Sequence, residues 1–452
     1  MSKQKRSESN LFRDIFSYGI TGMLRYFVPF LLLPFYTHFL DQNEFASLDL
    51  IISATVIVSI CVLEFNNGYA RYYYQHGTEG DQGDFYQTMF YAFLVGGGIL
   101  TVLFIPLGYY LGPILCPGMP QAGLIVVIMV AALFPQIIME YSLVNARLLH
   151  RKIFFGILVL ADSVIKGLLA IFFIAVLGMG VMGYGLSVLI SYTGMAIGGT
   201  LYCRKIFPGK VRPELLKKVA RYVLPLLPGN IFGYLNEYGG RFIMLAYLDL
   251  HQIAIYALAI RLARVAKMCL GAFNQAWQPV SMEHISTGKT DAIFARILDR
   301  YALISLIMVL VGGLASGPLV ALIAPPGYAD AARLLPILIG ATLLSGSSYV
   351  LEIGNLAAVK THWTSMARGL SMITNFGIAF LLVGKFGALA IAMGMLGAAI
   401  TRAVVSYFTA QSSHRIAYRP ISVAMLIVGI PAVTWLMVSW RQVAAMDFSF
   451  LK

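Results

Sequence analysis

Thirteen mostly apolar stretches of about twenty residues or more run along the chain, separated by short polar or Gly/Pro-rich breaks. They fall at residues 13–38, 44–66, 86–112, 121–147, 152–177, 181–203, 221–247, 251–279, 296–323, 331–357, 363–384, 387–410 and 420–440. A helix rises 1.5 Å per residue, so about twenty residues cross a hydrocarbon core roughly 30 Å thick. Inside lipid every backbone polar group must be satisfied within the segment, which favours helices for runs of this length. The pattern predicts an all-α polytopic membrane protein.

The longest basic connection, 204–220 (RKIFPGKVRPELLKKVA), divides the first twelve spans into six and six. The expected organisation is an N-lobe over 1–203, a cytoplasmic linker over 204–220 and a C-lobe over 221–410. A further helix and tail occupy 411–452. Pro213 suits the first turn of a short helix. Leu215, Leu216 and Val219 share one face of that helix and the Lys217–Lys218 pair takes the other, a pattern suited to lying in the membrane interface.

The two lobes repeat each other at an offset of 208 residues. LDQNEFASLDL (40–50) aligns with LDLHQIAIYAL (248–258), and FNNGYARYYYQH (65–76) with FNQAWQPVSMEH (273–284). An even number of spans separates the copies, so both run the same way through the membrane. Such parallel repeats are a transporter design, with the site between halves. Pro29 and Pro34 kink the first span, and Pro225 and Pro228 the seventh, its equivalent, at positions suited to hinges.

Composition sharpens this picture. Of 452 residues, 59% are hydrophobic and 12% charged, half the charge of a soluble domain. Mean hydropathy is +0.78. The net charge of +13 does not imply nucleic acid, because the cations sit in short loops and inside spans rather than on one soluble face. Loops on one side carry Lys3, Lys5, Arg6, Arg147, Arg151, Lys152, Lys210, Arg212, Lys360 and Arg415. Those on the other (DQN, GPILCPGMP, GMG, DLH, APPGY) carry none, apart from Lys385 in the sixth. The asymmetry places the N-terminus in the cytoplasm. The basic start reads as an uncleaved first span. Four scattered cysteines form neither a disulfide framework nor a metal site, and no cofactor is expected.

Ionisable groups inside spans cost roughly 2.5–3.5 kcal/mol each at the bilayer centre, so each needs an explanation. Asp162 and Lys166 stand four apart, as do Glu237 and Arg241, and can neutralise each other locally. Arg25, Arg261, Arg264 and Lys267 have no acid three or four residues away. Arg261 and Arg264 share a face, with Lys267 about 60° further round. Asp49, Glu64 and Glu352 lie near span ends, which leaves Glu140 as the best-placed acid. These cations predict a positively charged cavity for an anion. Arginine forks bind phosphate oxygens in pairs, so Arg25, Arg261, Arg264 and Lys267 are the candidate phosphate ligands. Glu140, Asp162, Lys166, Glu237 and Arg241 are the gating or coupling candidates. Interfacial belts account for most tyrosines, among them Tyr69, Tyr73 and Tyr141. Tyr238 and Trp277 are candidates for stacking on sugar rings. No GxxxxGK[ST], HExxH or GxSxG motif is present and no external loop reaches a dozen residues, so an enzyme is not expected.

FNQAWQP at 273–279, the preceding AIYALAIRLARVAK, the span-7 stretch LPLLPGNIFGYLNEYGGRFIMLAYLDL and the GYARYYYQH segment after span 2 resemble the polysaccharide transport (Wzx-type) flippases of the MOP superfamily. The resemblance covers spans 1–12. It implies two six-helix lobes arranged in a V that open alternately to either side of the bacterial inner membrane. The implied substrate is an oligosaccharide on an undecaprenyl diphosphate carrier, with membrane lipids, a polysaccharide polymerase and other pathway proteins as partners. Arg25 and Arg261 match cationic positions expected in the first and eighth spans. The family often has Asp immediately before the Arg of span 7; here Gly240 stands there, with Glu237 one turn back. A drug/cation antiporter of the same architecture is the alternative, but it would favour unpaired acids in the cavity.

The loop asymmetry makes a testable statement. With the four native cysteines replaced by serine, Lys210→Cys should stay unlabelled by an impermeant thiol reagent added outside intact cells. Ready labelling would invert the topology.

Overall fold

The computed structural model describes residues 27–76, 82–149, 151–206, 209–287, 291–358, 360 and 362–449. Arg25 and the start of the first predicted span lie outside the described residues. Every regular element among those described is helical. In chain order they are α1 Leu33–Phe39, α2 Gln42–Leu63, α3 Phe65–His76, α4 Gln82–Leu115, α5 Ala122–Ala131, α6 Leu133–Leu148, α7 Lys152–Ile171 and α8 Gly180–Ile206. Then come α9 Pro213–Val223, α10 Leu227–Tyr238, α11 Gly240–Tyr247, α12 Leu250–Thr287, α13 Asp291–Ile323, α14 Ala331–Gly346, α15 Ser348–Leu351 and α16 Ile353–Ala357. The last are α17 His362–Phe386, α18 Ala388–Ser413, α19 Pro420–Ala424 and α20 Ile430–Ser449.

Ten stretches among the described residues are long and apolar enough to cross a membrane: Gln42–Tyr73, Gln82–Leu115, Ala122–Leu148, Lys152–Val176, Gly180–Cys203, Ile293–Ile323, Ala331–Ala357, His362–Phe386, Ala388–Ser413 and Pro420–Trp440. They coincide with predicted spans two to six and nine to thirteen to within a few residues, apart from a longer end to the first. The seventh and eighth depart from the simple pattern. The predicted seventh span is divided among α9, α10 and α11, with breaks at Leu224–Leu226 and at Gly239. Pro225 and Pro228 cannot donate a backbone hydrogen bond, which interrupts the ladder at the first break. The eighth is α12, whose 38 residues extend about 57 Å, well beyond the hydrocarbon core.

The chain forms two compact units, Met1–Ile231 and Phe232–Lys452. In each, one repeat-related span is deeply enclosed. In the apolar window of Ala122–Leu148 61% of the residues are buried and in that of Ala331–Ala357 78%, against 17% in that of Gln82–Leu115. The latter turns Val102, Leu103 and Tyr110 outward. Large apolar side chains face outward here as they would face lipid, where exposure carries no hydrophobic penalty.

Tyrosines build the core of the first unit instead of forming a belt. Tyr69, Tyr86 and Tyr141 are almost fully buried. The Tyr69 hydroxyl donates to Asn145 Oδ1 at 2.6 Å, Tyr141 donates to the Tyr86 carbonyl at 2.9 Å, and Asn145 Nδ2 donates to the Tyr141 carbonyl at 2.8 Å. These buried polar atoms find partners in one another, as a low-dielectric interior demands.

The linker helix α9 does not present its apolar face to the membrane interface as expected. Val219 and Val223 are buried in this aromatic core, and Leu215 and Leu216 pack against it. The reason is Gly68 on α3: a Cβ there would lie 2.5 Å from a Val223 methyl and 2.8 Å from a Val219 methyl. The missing side chain lets α9 dock. Asp84 fixes the start of the helix, accepting from the Lys210 amide at 2.7 Å and pairing with Arg212 at 2.6 Å.

The repeat appears as a shared device. Asp41 caps α2 through the Glu44 amide, and Asp249 accepts from the Gln252 amide at 2.9 Å. Glu44 then abuts Gly180 at the start of α8, while Gln252 abuts Gly387 at the start of α18. Both glycines have positive φ, +50° and +55°. Gln252 Oε1 also accepts from the Ala388 amide at 3.0 Å. The C-terminal helix belongs to the second unit. Arg419 pairs with Asp299 at 3.4 Å, and Thr434 and Met437 fit against Gly340 and Gly313.

At Gly387 φ is 55° and ψ −134°, a region essentially reserved for glycine. Gly387→Ala should therefore destabilise the detergent-solubilised protein by about 1–3 kcal/mol. Gly384→Ala, where the added methyl meets open space, should not. Equal thermal unfolding of the two variants would refute the role assigned to this turn.

Candidate functional site

A cluster of charge in the second unit stands out from its apolar surroundings. It is assembled from the end of α10, the start of α11 and the middle of α12. The Gly239–Gly240 pair makes the assembly possible. A Cβ on Gly239 would meet the Phe376 ring at 2.5 Å, and one on Gly240 would meet Ile391 at 2.6 Å. Two bare residues let this stretch, helical in its dihedrals at Gly239, lie close against α17 and α18.

The four-residue spacing brings Arg241 back over Glu237: Arg241 Nη1 donates to the Glu237 backbone carbonyl at 2.9 Å, and its charge acts on the Glu237 carboxylate. Arg241 is 1% exposed. Its guanidinium lies 5.2 Å from the Tyr238 ring centre and 5.5 Å from that of Tyr256. The rings offset part of the burial cost, since a desolvated cation–π contact contributes roughly 2 kcal/mol.

The Glu237 carboxylate turns to α12 and meets Lys267 Nζ at 2.5 Å. Lys267 thus has an acidic partner, 30 residues away in sequence and invisible to a search along its own helix. The two side chains are 44% and 35% exposed. At such exposure the pair contributes about 1 kcal/mol or less, so it is held but exchangeable. Arg264 and Arg241 also act electrostatically on the Glu237 carboxylate. Arg264 lies 14 residues beyond Leu250, about 21 Å along the axis. Arg261 is half-buried one turn earlier and makes an interaction of its own. Arg241, Arg264 and Lys267 are three cations acting on one carboxylate. Arginine forks and an ammonium grouped in this way are the donors that an anion with several oxygens takes.

The remaining candidates divide clearly. Tyr238 belongs to the cluster and stacks on Tyr234 with ring centres 6.3 Å apart. Trp277 does not present a face to a sugar. It is 4% exposed, stacks on Phe273, receives Phe294 edge-on and donates Nε1 to the Tyr349 carbonyl at 2.9 Å. Core packing claims the indole.

In the first unit Asp162 and Lys166 form a closed pair at 2.9 Å. Ser191 donates to Asp162 Oδ1 at 2.9 Å, and Lys166 sits over the Tyr192 ring at 4.8 Å. Glu140, the best-placed acid by sequence, is half-buried on α6 and takes part in an interaction. Glu352 also finds one: Arg402 Nη2 at 3.2 Å, with Ser406 donating at 3.1 Å. Sequence reasoning missed Arg402. Its position inside span 12 was the available signal, but its acid lies on a different span.

Residues 11–284 match the polysaccharide biosynthesis protein family, a stretch that includes the whole charge cluster. No curated protein matches the chain in sequence. Among solved structures, the chain is similar to an inward-facing multidrug resistance MATE family transporter of the MOP superfamily. The TM-score is 0.74 at 13% identity, over 89% of this chain and 95% of that one. It is also similar to the lipid II flippase MurJ in an inward closed conformation, with TM-score 0.71 at 12% identity over 93% and 90% of the two chains. The Vibrio cholerae MATE transporter VcmN in the bent form gives 0.57 at 14% identity over 91% and 99%. These likenesses concern the fold, and the match over more than half of the chain gives the family. The chain is a multi-pass membrane protein of the polysaccharide biosynthesis family, built on the fold of the MOP-superfamily transporters.

Proposed function

We propose that this protein is a flippase that carries a diphosphate-linked oligosaccharide lipid from the cytoplasmic to the outer face of the bacterial inner membrane by alternating access. The observation that carries this reading is the gathering of cations around Glu237, where Arg241, Arg264 and Lys267 all act on one carboxylate. A drug/cation antiporter needs the opposite balance. The polysaccharide biosynthesis family and the lipid II flippase among its structural relatives support a lipid-diphosphate cargo.

In this reading Arg264 and Arg261 receive the diphosphate oxygens, and Arg25 of the first span is the further ligand that the sequence nominates. Arg241 serves a different purpose. Buried between two tyrosines, it sets the local positive field. Glu237 keeps Lys267 occupied when cargo is absent. A transporter that bound cargo equally tightly in both states would gain nothing from binding. A carboxylate that competes with the diphosphate for the same cations lowers affinity in the state that releases it. Tyr238 offers a ring beside the cations for the first sugar.

Two expected outcomes test the scheme. Arg264→Gln should weaken binding of farnesyl diphosphate to the purified protein by roughly ten- to a hundredfold, the effect of losing one charge-assisted contact. Arg264→Lys should recover part of it, since Lys keeps the charge and lacks the fork. Unchanged affinity in the Gln variant would remove Arg264 from the site. Glu237→Gln should bind the same probe more tightly while glycan export in cells slows. Normal export in that variant would reduce Glu237 to a structural partner of Lys267.

A further inference from the structure

A second basic site lies in the first unit, apart from the cation cluster on α12. It is a cleft of about 430 Å³ lined by Tyr72 of α3 and by Glu214, Lys217, Lys218, Arg221 and Tyr222 of α9. The adjacent Lys217 and Lys218 stand four and three residues before Arg221 on the outward face of α9, and all three are exposed. Two tyrosines form the floor, their rings meeting edge to face at 5.9 Å. The Lys218 ammonium stands 5.1 Å from the Tyr72 ring centre. Arg71 of α3 adds a fourth cation, its guanidinium 4.3 Å from the Tyr222 ring centre. Glu214 is the one acid among the lining residues. Cations outnumber the acid around this aromatic floor.

The helix that lines the cleft is fastened to its neighbours. It is held at the start by Asp84 and by Thr88, whose hydroxyl accepts from the Arg212 amide at 2.8 Å. Along its length it is held by Val219 and Val223 against Gly68. Tyr72 lies in the last turn of the span Gln42–Tyr73, and Asp84 in the first turn of the span Gln82–Leu115. The cleft therefore sits at the adjoining ends of two consecutive spans, on the side where both meet the membrane surface. Because the apolar face of α9 is spent inside the protein, this helix has no hydrophobic face left for the acyl layer. What it offers the membrane is charge and tyrosine.

We propose that the cleft between α3 and α9 binds the phosphate of an anionic phospholipid headgroup and so anchors the linker helix to the membrane surface. Lys217 and Arg221 grip the phosphodiester, and the tyrosine floor packs against the glycerol. Anionic lipid is favoured over a soluble phosphate because the cations face the headgroup layer, where such lipids concentrate beside basic segments. The proposal does not depend on the flippase reading, since none of its residues belongs to the α12 cluster.

The test uses the full-length protein in neutral detergent, titrated with dioctanoyl phosphatidylglycerol and, in parallel, with dioctanoyl phosphatidylcholine. The phosphatidylglycerol should bind and the phosphatidylcholine should not. Lys217→Gln/Arg221→Gln should weaken phosphatidylglycerol binding roughly thirtyfold, as expected for losing two cations at an anionic surface, with thermal unfolding unchanged. Lys217→Arg/Arg221→Lys should restore most of it, and Arg264→Gln should leave it intact. Equal binding by wild type and the Gln double variant, or equal binding of the two lipids, would overturn the proposal. Displacement of the lipid by an equal concentration of inorganic phosphate would overturn it too, assigning the cleft to soluble phosphate instead.

Discussion

A charge that leaves water without compensation costs more than most helices can bear, and this constraint organises the second unit. Arg241 is the most tightly buried charged side chain among the described residues. It is tolerated because a carbonyl and two tyrosine rings surround it. Gly239 and Gly240 lie there against Phe376 and Ile391, where a Cβ would clash. The Glu237 carboxylate meets Lys267 of α12, and Arg241 stays buried. Removing one partner of a buried pair typically costs about 3–5 kcal/mol. The exposed Glu237–Lys267 contact is far weaker. The cluster thus combines a fixed cation with exchangeable ones, which is a useful division where an anion must be both bound and released.

The two units solve a second problem alike. A long helix entering the membrane needs its first amides satisfied, and the hairpin beside it needs a tight turn. Asp41 and Asp249 do the first job, and Glu44 with Gly180 and Gln252 with Gly387 the second. In the first unit the side chain is an acid; in the second it is an amide that also takes the Ala388 N–H. The recurrence at nearly constant offset ties the repeat to backbone physics rather than to apolar composition. By contrast, the linker helix α9 has a local solution. It is fastened to the first unit by Gly68 and Asp84, and its cations lie on the face turned away from that packing.

Much of this was legible in the chain. Span positions follow from length and hydropathy, because in lipid the backbone solution for such runs is a helix. The repeat, the basic linker and the importance of α12 follow from residues alone. The resemblance to polysaccharide transport flippases carried by FNQAWQP and its neighbours agrees with the family match over residues 11–284. The readings that changed share one feature: they depended on which helix lies beside which. Lys267 and Glu352 looked unpartnered because their acids and bases are 30 and 50 residues away. Tyr69 and Tyr141 looked interfacial because tyrosine commonly is, whereas Asn145 and a neighbouring backbone carbonyl satisfy their hydroxyls in the core. Trp277 looked available until Phe273 and Phe294 were seen to cover it.

The sequence by itself determined the membrane class, the positions of ten spans, the repeated segments and the run of cations along the eighth predicted span. These are one-dimensional properties, set by hydrophobic run length and by the identity of residues along one helix. Only the tertiary structure decided which charges neutralise each other, which aromatic faces remain open and where the amphipathic linker spends its apolar side. Those outcomes rest on helix neighbours and on a few glycines, Gly68, Gly239 and Gly240 among them, whose missing side chains set how closely two helices approach. A glycine in a string of letters does not say what it lies against, and a carboxylate such as Glu237 does not say that it will meet Lys267 on another helix.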